Sequence, residues 1–339
     1  MIKESYLYKK IPEKKVQCQT CSHFCILSPG ERGKCGVREN QNGKLYALNY
    51  KKVVALNIDP IEKKPLFHFL PASQTLSIAT IGCNFTCLNC QNWNISQGYK
   101  NAKEIPGEEI LPEKIVKIAT ENKLPSISYT YVEPTIFLEY ALDTMKLSKK
   151  AGLKNVFVSN GFMSEKSLEL VIHYLDAINI DIKSFSDEFY QKICGGKLKP
   201  VLETAKKIKK SGVWIEITTL IIPTLNDDKK NLEAISQWIL KNLGRETPWH
   251  ISQFSGAISW KLQHLPDTPI ETLEKAYKIG KKLGLNYVYI GNIFKHKAEN
   301  TYCPNCNELV ISRIGYEIHR FDKNGKCPKC AKNLNLILK

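Results

Sequence analysis

The sequence predicts an α/β protein, a partial (β/α)6-type barrel with small cysteine-rich, metal-binding N- and C-terminal modules. Three observations carry this expectation. From about residue 75, short apolar runs alternate with longer amphipathic stretches. The apolar runs are nearly continuous rather than alternating, as strands covered on both faces must be. Eleven of the twelve cysteines fall into three tight groups: one before the alternating region, one at its first strand and one after it.

The strand candidates are 75–81, 126–132, 155–159, 177–182, 214–222, 249–254 and 287–290. The helices between them have readable ends. Pro112 opens one whose Ile115, Ile118 and Ala119 share a face; Ser164 caps the next; Thr268 and Pro269 start another. Several finish in lysine-rich turns followed by glycine, at Gly152, Gly212 and Gly284. Repeated strand–helix units imply a parallel sheet with right-handed crossovers, and chemistry in such folds gathers at the C-terminal strand ends. Three parts follow: an N-terminal four-cysteine module (1–74), the partial barrel (75–297) and a C-terminal zinc-ribbon or rubredoxin-like module (298–339).

The chain has 339 residues, 43% of them hydrophobic and 24% charged, enough to bury a large core. No stretch approaches the roughly 18 uncharged apolar residues of a membrane span. The N-terminal segment has basic residues without an apolar core after them, so no secretory signal is expected. A cytoplasmic location and no membrane partner are the resulting expectations. There, twelve cysteines argue for metal rather than disulfides. The formal charge of +16 falls to about +11 once thiolates are counted as metal ligands, which still permits RNA as a partner. Lysines on solvated helix faces, such as Lys206, Lys207, Lys209 and Lys210, account for much of it.

The central group is the sharpest signal. Cys83, Cys87 and Cys90 form a C-x3-C-x2-C spacing directly after the first barrel strand, and Gly82 eases the turn into it. Three thiolates can wrap one iron–sulfur cluster from a single loop and leave one iron without a protein ligand. An open coordination position is what chemistry needs; structural sites are closed.

The spacing resembles that of the radical S-adenosylmethionine (SAM) superfamily. Longer segments, including CSHFCILSPGERGKCGVRENQNGKLYAL, DPIEKKPLFHFLP, GCNFTCLNCQNW, YTYVEPT, NIDIKSF and YVYIGN, look like the radical SAM member of the AmmeMemoRadiSam system. That family is related to the pyruvate formate-lyase activating enzymes. The resemblance implies a [4Fe–4S] cluster on Cys83, Cys87 and Cys90 whose open iron is chelated by SAM. An electron from the reduced cluster would split SAM into methionine and a 5′-deoxyadenosyl radical that abstracts hydrogen from a substrate. It further implies an electron donor such as flavodoxin or ferredoxin, and association with AMMECR-type and Memo-like proteins. The substrate stays open between a protein or peptide, including glycyl-radical activation, and RNA. A metal-stapled RNA-binding or adaptor protein without catalysis is the rival reading.

Polar residues at the other strand ends are the expected SAM contacts. Glu133 ends the second strand and Asn160, in SNG, the third. Asp181 and Lys183 alternate with apolar residues on the fourth and so share a face; the resemblance places Lys183 at the SAM carboxylate. Thr218 shares a face with Glu216 on the fifth, where activating-enzyme relatives often carry arginine. His250, on the sixth, is a candidate to approach SAM or donate a proton, and with Asp181 and Lys183 completes the expected catalytic set. Asn89 stands where many superfamily members have an aromatic residue over the adenine, so Phe85 or Trp93 would take that place.

The C-terminal group, Cys303, Cys306, Cys327 and Cys330, has C-x2-C-x20-C-x2-C spacing, which closes a four-ligand shell and suits structural zinc, with iron the alternative. The N-terminal group, Cys18, Cys21, Cys25 and Cys35, with His23 as a spare ligand, accommodates zinc or a second iron–sulfur cluster; Gly30 and Gly33 suit a zinc knuckle. Cys194 reads as a small buried residue.

Overall fold

The computed structural model describes residues 2–100 and 102–339. Its centre is an eight-stranded sheet whose strands lie side by side in chain order. They are β1 (Ala55–Pro60), β2 (Gln74–Ala79), β3 (Ser126–Tyr129), β4 (Lys154–Ser159), β5 (Ala177–Asp181), β6 (Trp214–Ile221), β7 (Trp249–Gln253) and β8 (Val288–Gly291). Strands β2 to β8 are parallel, and β1 runs antiparallel to β2 along one edge.

The crossover helices are α1 (Pro112–Glu121), α2 (Leu138–Lys150), α3 (Glu165–Val171), α4 (Leu198–Ser211), α5 (Lys229–Asn242) and α6 (Ile270–Leu283). Six crossovers make the (β/α)6 unit that the alternation predicts. Each helix starts or stops for a local reason. Pro112 fits the first turn of α1, where no backbone donor is needed, and the Ser164 hydroxyl accepts from Ser167 N–H at 3.1 Å. Helices α4 and α6 end on glycines in the left-handed region, Gly212 and Gly284. Thr268 does not cap α6. Its hydroxyl donates to the Ile221 carbonyl and accepts from Phe254 N–H, tying β6 to the chain after β7.

The expected boundary at residue 74 does not match the sheet, because Ala55–Pro60 belongs to it. Ahead of that strand the N-terminal segment forms two small three-stranded antiparallel sheets. Beyond the barrel, strands 301–302, 309–314 and 317–320 form a third. No helix of the described residues is long and apolar enough to cross a membrane.

The segment 64–70, between β1 and β2, enters the sheet's concave side as a plug. Glu216 on β6, fully buried, accepts from Phe67 N–H at 3.0 Å and His68 N–H at 2.9 Å. The Trp214 indole and His250 Nε2 donate to the same carboxylate at 2.9 and 2.7 Å. Burial alone would raise Glu216, but the hydrogen bond and charge of His250 hold it below the usual carboxylate value. The C-terminal module closes over the plug. Arg313 donates to the Phe67 carbonyl and lies over the Phe67 ring, and Ile337 exchanges backbone hydrogen bonds with residues 68 and 70.

His68 sits in this joint, donating Nδ1–H to the Leu334 carbonyl and accepting the Tyr289 hydroxyl on Nε2. Burial lowers it from 6.5 to about 4. A histidine held neutral when folded binds fewer protons than in the unfolded chain, so acid favours unfolding between those two values. Stability should therefore fall by roughly 3 kcal/mol from pH 6.5 to pH 4 through this residue alone. Urea titrations at several pH values will show His68→Gln with the shallower decline; equal slopes would show that His68 is not the sensor.

Candidate active site

Polar residues from the C-terminal ends of β3 to β7 and from the loop after β2 line one cavity of about 550 Å³. The cysteine loop leaves β2 through Gly82, which has φ +95° and packs so closely that a β-carbon would lie 2.7 Å from the Cys35 carbonyl. Glycine is required there on both counts. The loop is then clamped from the far side. Thr86 N–H donates to the Cys194 carbonyl at 2.8 Å, Leu88 N–H to the Ile193 carbonyl at 2.9 Å, and Lys261 N–H to the Leu88 carbonyl at 2.8 Å. Gly195 and Gly196 let this contact close, since β-carbons there would strike Thr86 and Phe85 at 2.4 and 2.2 Å. Cys194 is fully buried beside them, as its reading as a small packed residue expects.

Cys83, Cys87 and Cys90 all line the cavity. Burial pushes the Cys83 thiol up to about 12, with neighbouring Cys87 and Glu133 adding to the effect. Such thiols become ligands when a cation takes the place of the proton. Other atoms in the wall also await a partner: Thr218 Oγ1 and Asn89 Oδ1 are buried without a hydrogen bond. A donor set of three sulfurs with unsatisfied oxygen atoms nearby fits a cluster and a polar molecule bound against it.

Asp181 and Lys183 project from the end of β5 into the same space and pair at 2.8 Å. Lys183 is held from its backbone as well, donating N–H to Tyr190 Oη while its carbonyl accepts from Asn226. Desolvation works against its charge, yet Asp181 and the neighbouring sulfurs hold it well above the ordinary lysine value. The lysine thus stays cationic in the wall, offering an anion a fixed charge.

Glu133 reaches the cavity as an organiser of backbone. It caps the short 3-10 turn Pro134–Phe137 by accepting from Thr135 N–H. It also accepts from the hydroxyls of Thr135 and Ser159 and, at 2.7 Å, from Asn160 N–H. The SNG turn is therefore built around this carboxylate. Asn160, on the turn, donates to Asn84 Oδ1 and accepts from Phe162 N–H, and it lines the cavity.

One expected residue is elsewhere. His250 lies outside the cavity wall, 3% exposed, with Nε2 on Glu216 and its ring stacked against Tyr289. Ser252 and Gln253, further along β7, take the wall position. Of the two aromatic candidates, Phe85 lines the cavity, whereas Trp93 is 43% exposed and does not.

Sequence reasoning missed the rim formed by β1 and the plug. Asp59 accepts from Lys63 at 2.8 Å, Lys64 at 2.7 Å and the Tyr131 hydroxyl at 2.5 Å; both lysines and Tyr131 line the cavity. Burial lowers Lys64 to about 8, against the pull of Asp59. The i,i+4 spacing of Asp59 and Lys63 in DPIEKK was the available signal.

The model of the "Radical SAM superfamily" matches residues 77–234, which run from the cysteine-loop strand through β6. This part of the chain belongs to the radical SAM superfamily. An uncharacterized protein of Methanocaldococcus jannaschii is 47% identical over 340 residues, covering 99% of this chain and 100% of the relative. The pyruvate formate-lyase-activating enzyme of Clostridium pasteurianum is 27% identical over 166 residues, 48% of this chain and 67% of that enzyme. Among solved structures, a domain of the pyruvate-formate lyase-activating enzyme from Bacteroides vulgatus ATCC 8482 matches at 16% identity. It covers 49% of this chain and 99% of its own, with a TM-score of 0.43. The superfamily implies a [4Fe–4S] cluster and SAM, and the sulfur triad with its unsatisfied neighbours is where they fit.

Replacing Glu133 by glutamine puts an amide donor opposite Asn160 N–H. The expected cost is about 1–3 kcal/mol, with faster amide exchange over residues 159–162. Unchanged protection at Asn160 would show that the carboxylate does not anchor the turn.

Proposed function

We propose that this chain reductively cleaves SAM at a cluster held by Cys83, Cys87 and Cys90 and uses the resulting radical to take hydrogen from a substrate. The observation that carries this reading is convergence: the three cysteines, the Asp181–Lys183 pair and the Glu133-ordered turn border one cavity. A structural metal site needs no such cavity beside it. When bound, the cluster supplies the electron that breaks the sulfonium bond.

The chain's own residues do the rest. Lys183 offers its ammonium to the carboxylate end of SAM, with Asp181 fixing the lysine's direction. Thr218 Oγ1 and Asn160 supply neutral hydrogen-bonding groups across the cavity. Phe85 and Leu220 supply apolar wall that excludes water from a reactive intermediate. Lys63 and the buried Lys64, both paired with Asp59, supply the charged edge of the cavity. A protein or peptide substrate is favoured by relatives named as activating enzymes. Membership of the AmmeMemoRadiSam type, with AMMECR-type and Memo-like partners and a flavodoxin or ferredoxin donor, belongs to the same proposal.

The C-terminal module has a separate, structural role in it. Cys303, Cys306, Cys327 and Cys330 have ligand atoms all within 4.8 Å of one another, with two sulfur pairs at 3.6 Å. Tetrahedral zinc at about 2.3 Å from each sulfur needs a spacing of this kind.

Anaerobically reconstituted protein given SAM and dithionite should release 5′-deoxyadenosine, and Cys83→Ala should release at least about 100-fold less. Equal yields from both would sink the proposal. Lys183→Met should weaken SAM binding about 10- to 100-fold while the cluster's EPR signal without SAM is unchanged.

For the tail, Cys327→Ser with Cys330→Ser should cost about one zinc per chain and open residues 301–339 to proteolysis. Zinc content equal to that of the parent would refute the assignment.

A further inference from the structure

The N-terminal cysteine group differs from the C-terminal one in a way that bears on what it binds. Cys18, Cys21, Cys25 and Cys35 surround a void of about 10 Å³. That is room for the centre of a water-sized sphere. Four sulfurs drawn to about 2.3 Å from a common point, as zinc requires, leave no such room between them. Spacing says the same. Among the described residues, the C-terminal quartet is the one group of three or more cysteine, histidine or carboxylate ligand atoms lying within 4.8 Å of one another. The N-terminal quartet is therefore wider, and in this it matches the central triad. Thiolates on a four-iron cluster sit at the corners of an inorganic core several atoms across and must stand further apart than those on one ion.

The surroundings are built for a larger guest. Arg38, in the wall of the void, is 2% exposed; Glu139 takes its terminal nitrogens at 2.7 and 3.0 Å, yet its Nε is buried without a partner. An orphaned donor of this kind beside four sulfurs awaits an acceptor that belongs to the bound group. His23, the spare ligand candidate, donates Nε2–H to the Asn84 carbonyl at 2.8 Å and so has Nδ1 alone left to offer beside the four cysteines.

We infer that Cys18, Cys21, Cys25 and Cys35 hold an auxiliary [4Fe–4S] cluster, closed by four thiolates, rather than a second zinc ion. This site stands next to the reaction centre. The Cys35 carbonyl packs on Gly82, which precedes Cys83, and His23 holds the carbonyl of the residue after Cys83. The assignment rests on the quartet's own geometry and not on the proposed reaction.

Full-length protein, purified and reconstituted without oxygen, should carry about eight irons and about one zinc per chain. The Cys83→Ala, Cys87→Ala, Cys90→Ala triple variant should keep about four irons. On reduction with dithionite it should show a [4Fe–4S]⁺ EPR signal that SAM does not change. Adding Cys25→Ser and Cys35→Ser should abolish that signal. About four irons and two zincs in the parent, with no iron in the triple variant, would overturn the assignment. Should the triple variant fail to fold, the parent's metal count decides alone. Failure of the proposed reaction reads differently: the parent's EPR spectrum would not respond to SAM, whatever its iron content.

Discussion

A fully buried carboxylate, Glu216, sets the arrangement on which the rest of the molecule depends. An isolated buried charge is expensive, and this one is made tolerable by four donors converging from three places. Two are backbone N–H groups of the plug, one is the indole of Trp214 on its own strand and one is His250 on the next strand. Remove the carboxylate and the plug loses its attachment, while β6 and β7 lose the side-chain link between them. Because the plug also forms the floor that the C-terminal module covers, one ion-like site couples strand pairing, floor and tail. The cavity at the strand ends adjoins that floor: Lys64 and Pro65, at the start of the plug, are in its wall.

The other constraint is steric and acts on the cysteine loop. Glycines at 82, 195 and 196 permit backbone from the N-terminal module and from the segment after β5 to close on the loop from both sides. Three cysteines within eight residues could otherwise sample many arrangements, at an entropic cost repaid on each metal-binding event. Held as they are by the Cys194, Ile193 and Leu88 carbonyl contacts, the sulfurs are preorganised. This gives Cys35 and His23 a second meaning. They pack against the ends of the same tripeptide, so the N-terminal cysteine group and the central one share a wall.

Much of this was legible in the sequence. All seven parallel strands and the six crossovers follow from apolar runs alternating with amphipathic stretches, and Asp181 and Lys183 follow from period-two spacing on β5. The antiparallel strand Ala55–Pro60 was not legible, because it ends in proline and precedes the repeating pattern. The plug was not legible either. Its contacts with Glu216 span about 150 residues of chain, and nothing local in PLFHFLP announces which carboxylate will receive its backbone. Lys63 and Lys64 were hidden for the same reason: they reach the cavity from a connection, not from a strand end.

His250 shows why periodicity stops short of function. Alternation along a strand says which face a side chain takes, and His250 and Ser252 take the same one. It does not say how deep along the barrel axis each lies. In the parallel register His250 is opposite Thr218, and Ser252 opposite Leu220. Thr218 and Ser252 reach the cavity, while His250 turns to the deeper Glu216. Depth is decided by the neighbouring carboxylate: a buried acid that must find donors takes the nearest histidine, and the short serine two residues on leaves space that a ligand can occupy. The same argument explains Thr218. With Glu216 already satisfied by other groups, its hydroxyl has no protein partner and is left facing the cavity. A residue's availability for chemistry at this barrel mouth is thus set by what the layer beneath it has already consumed.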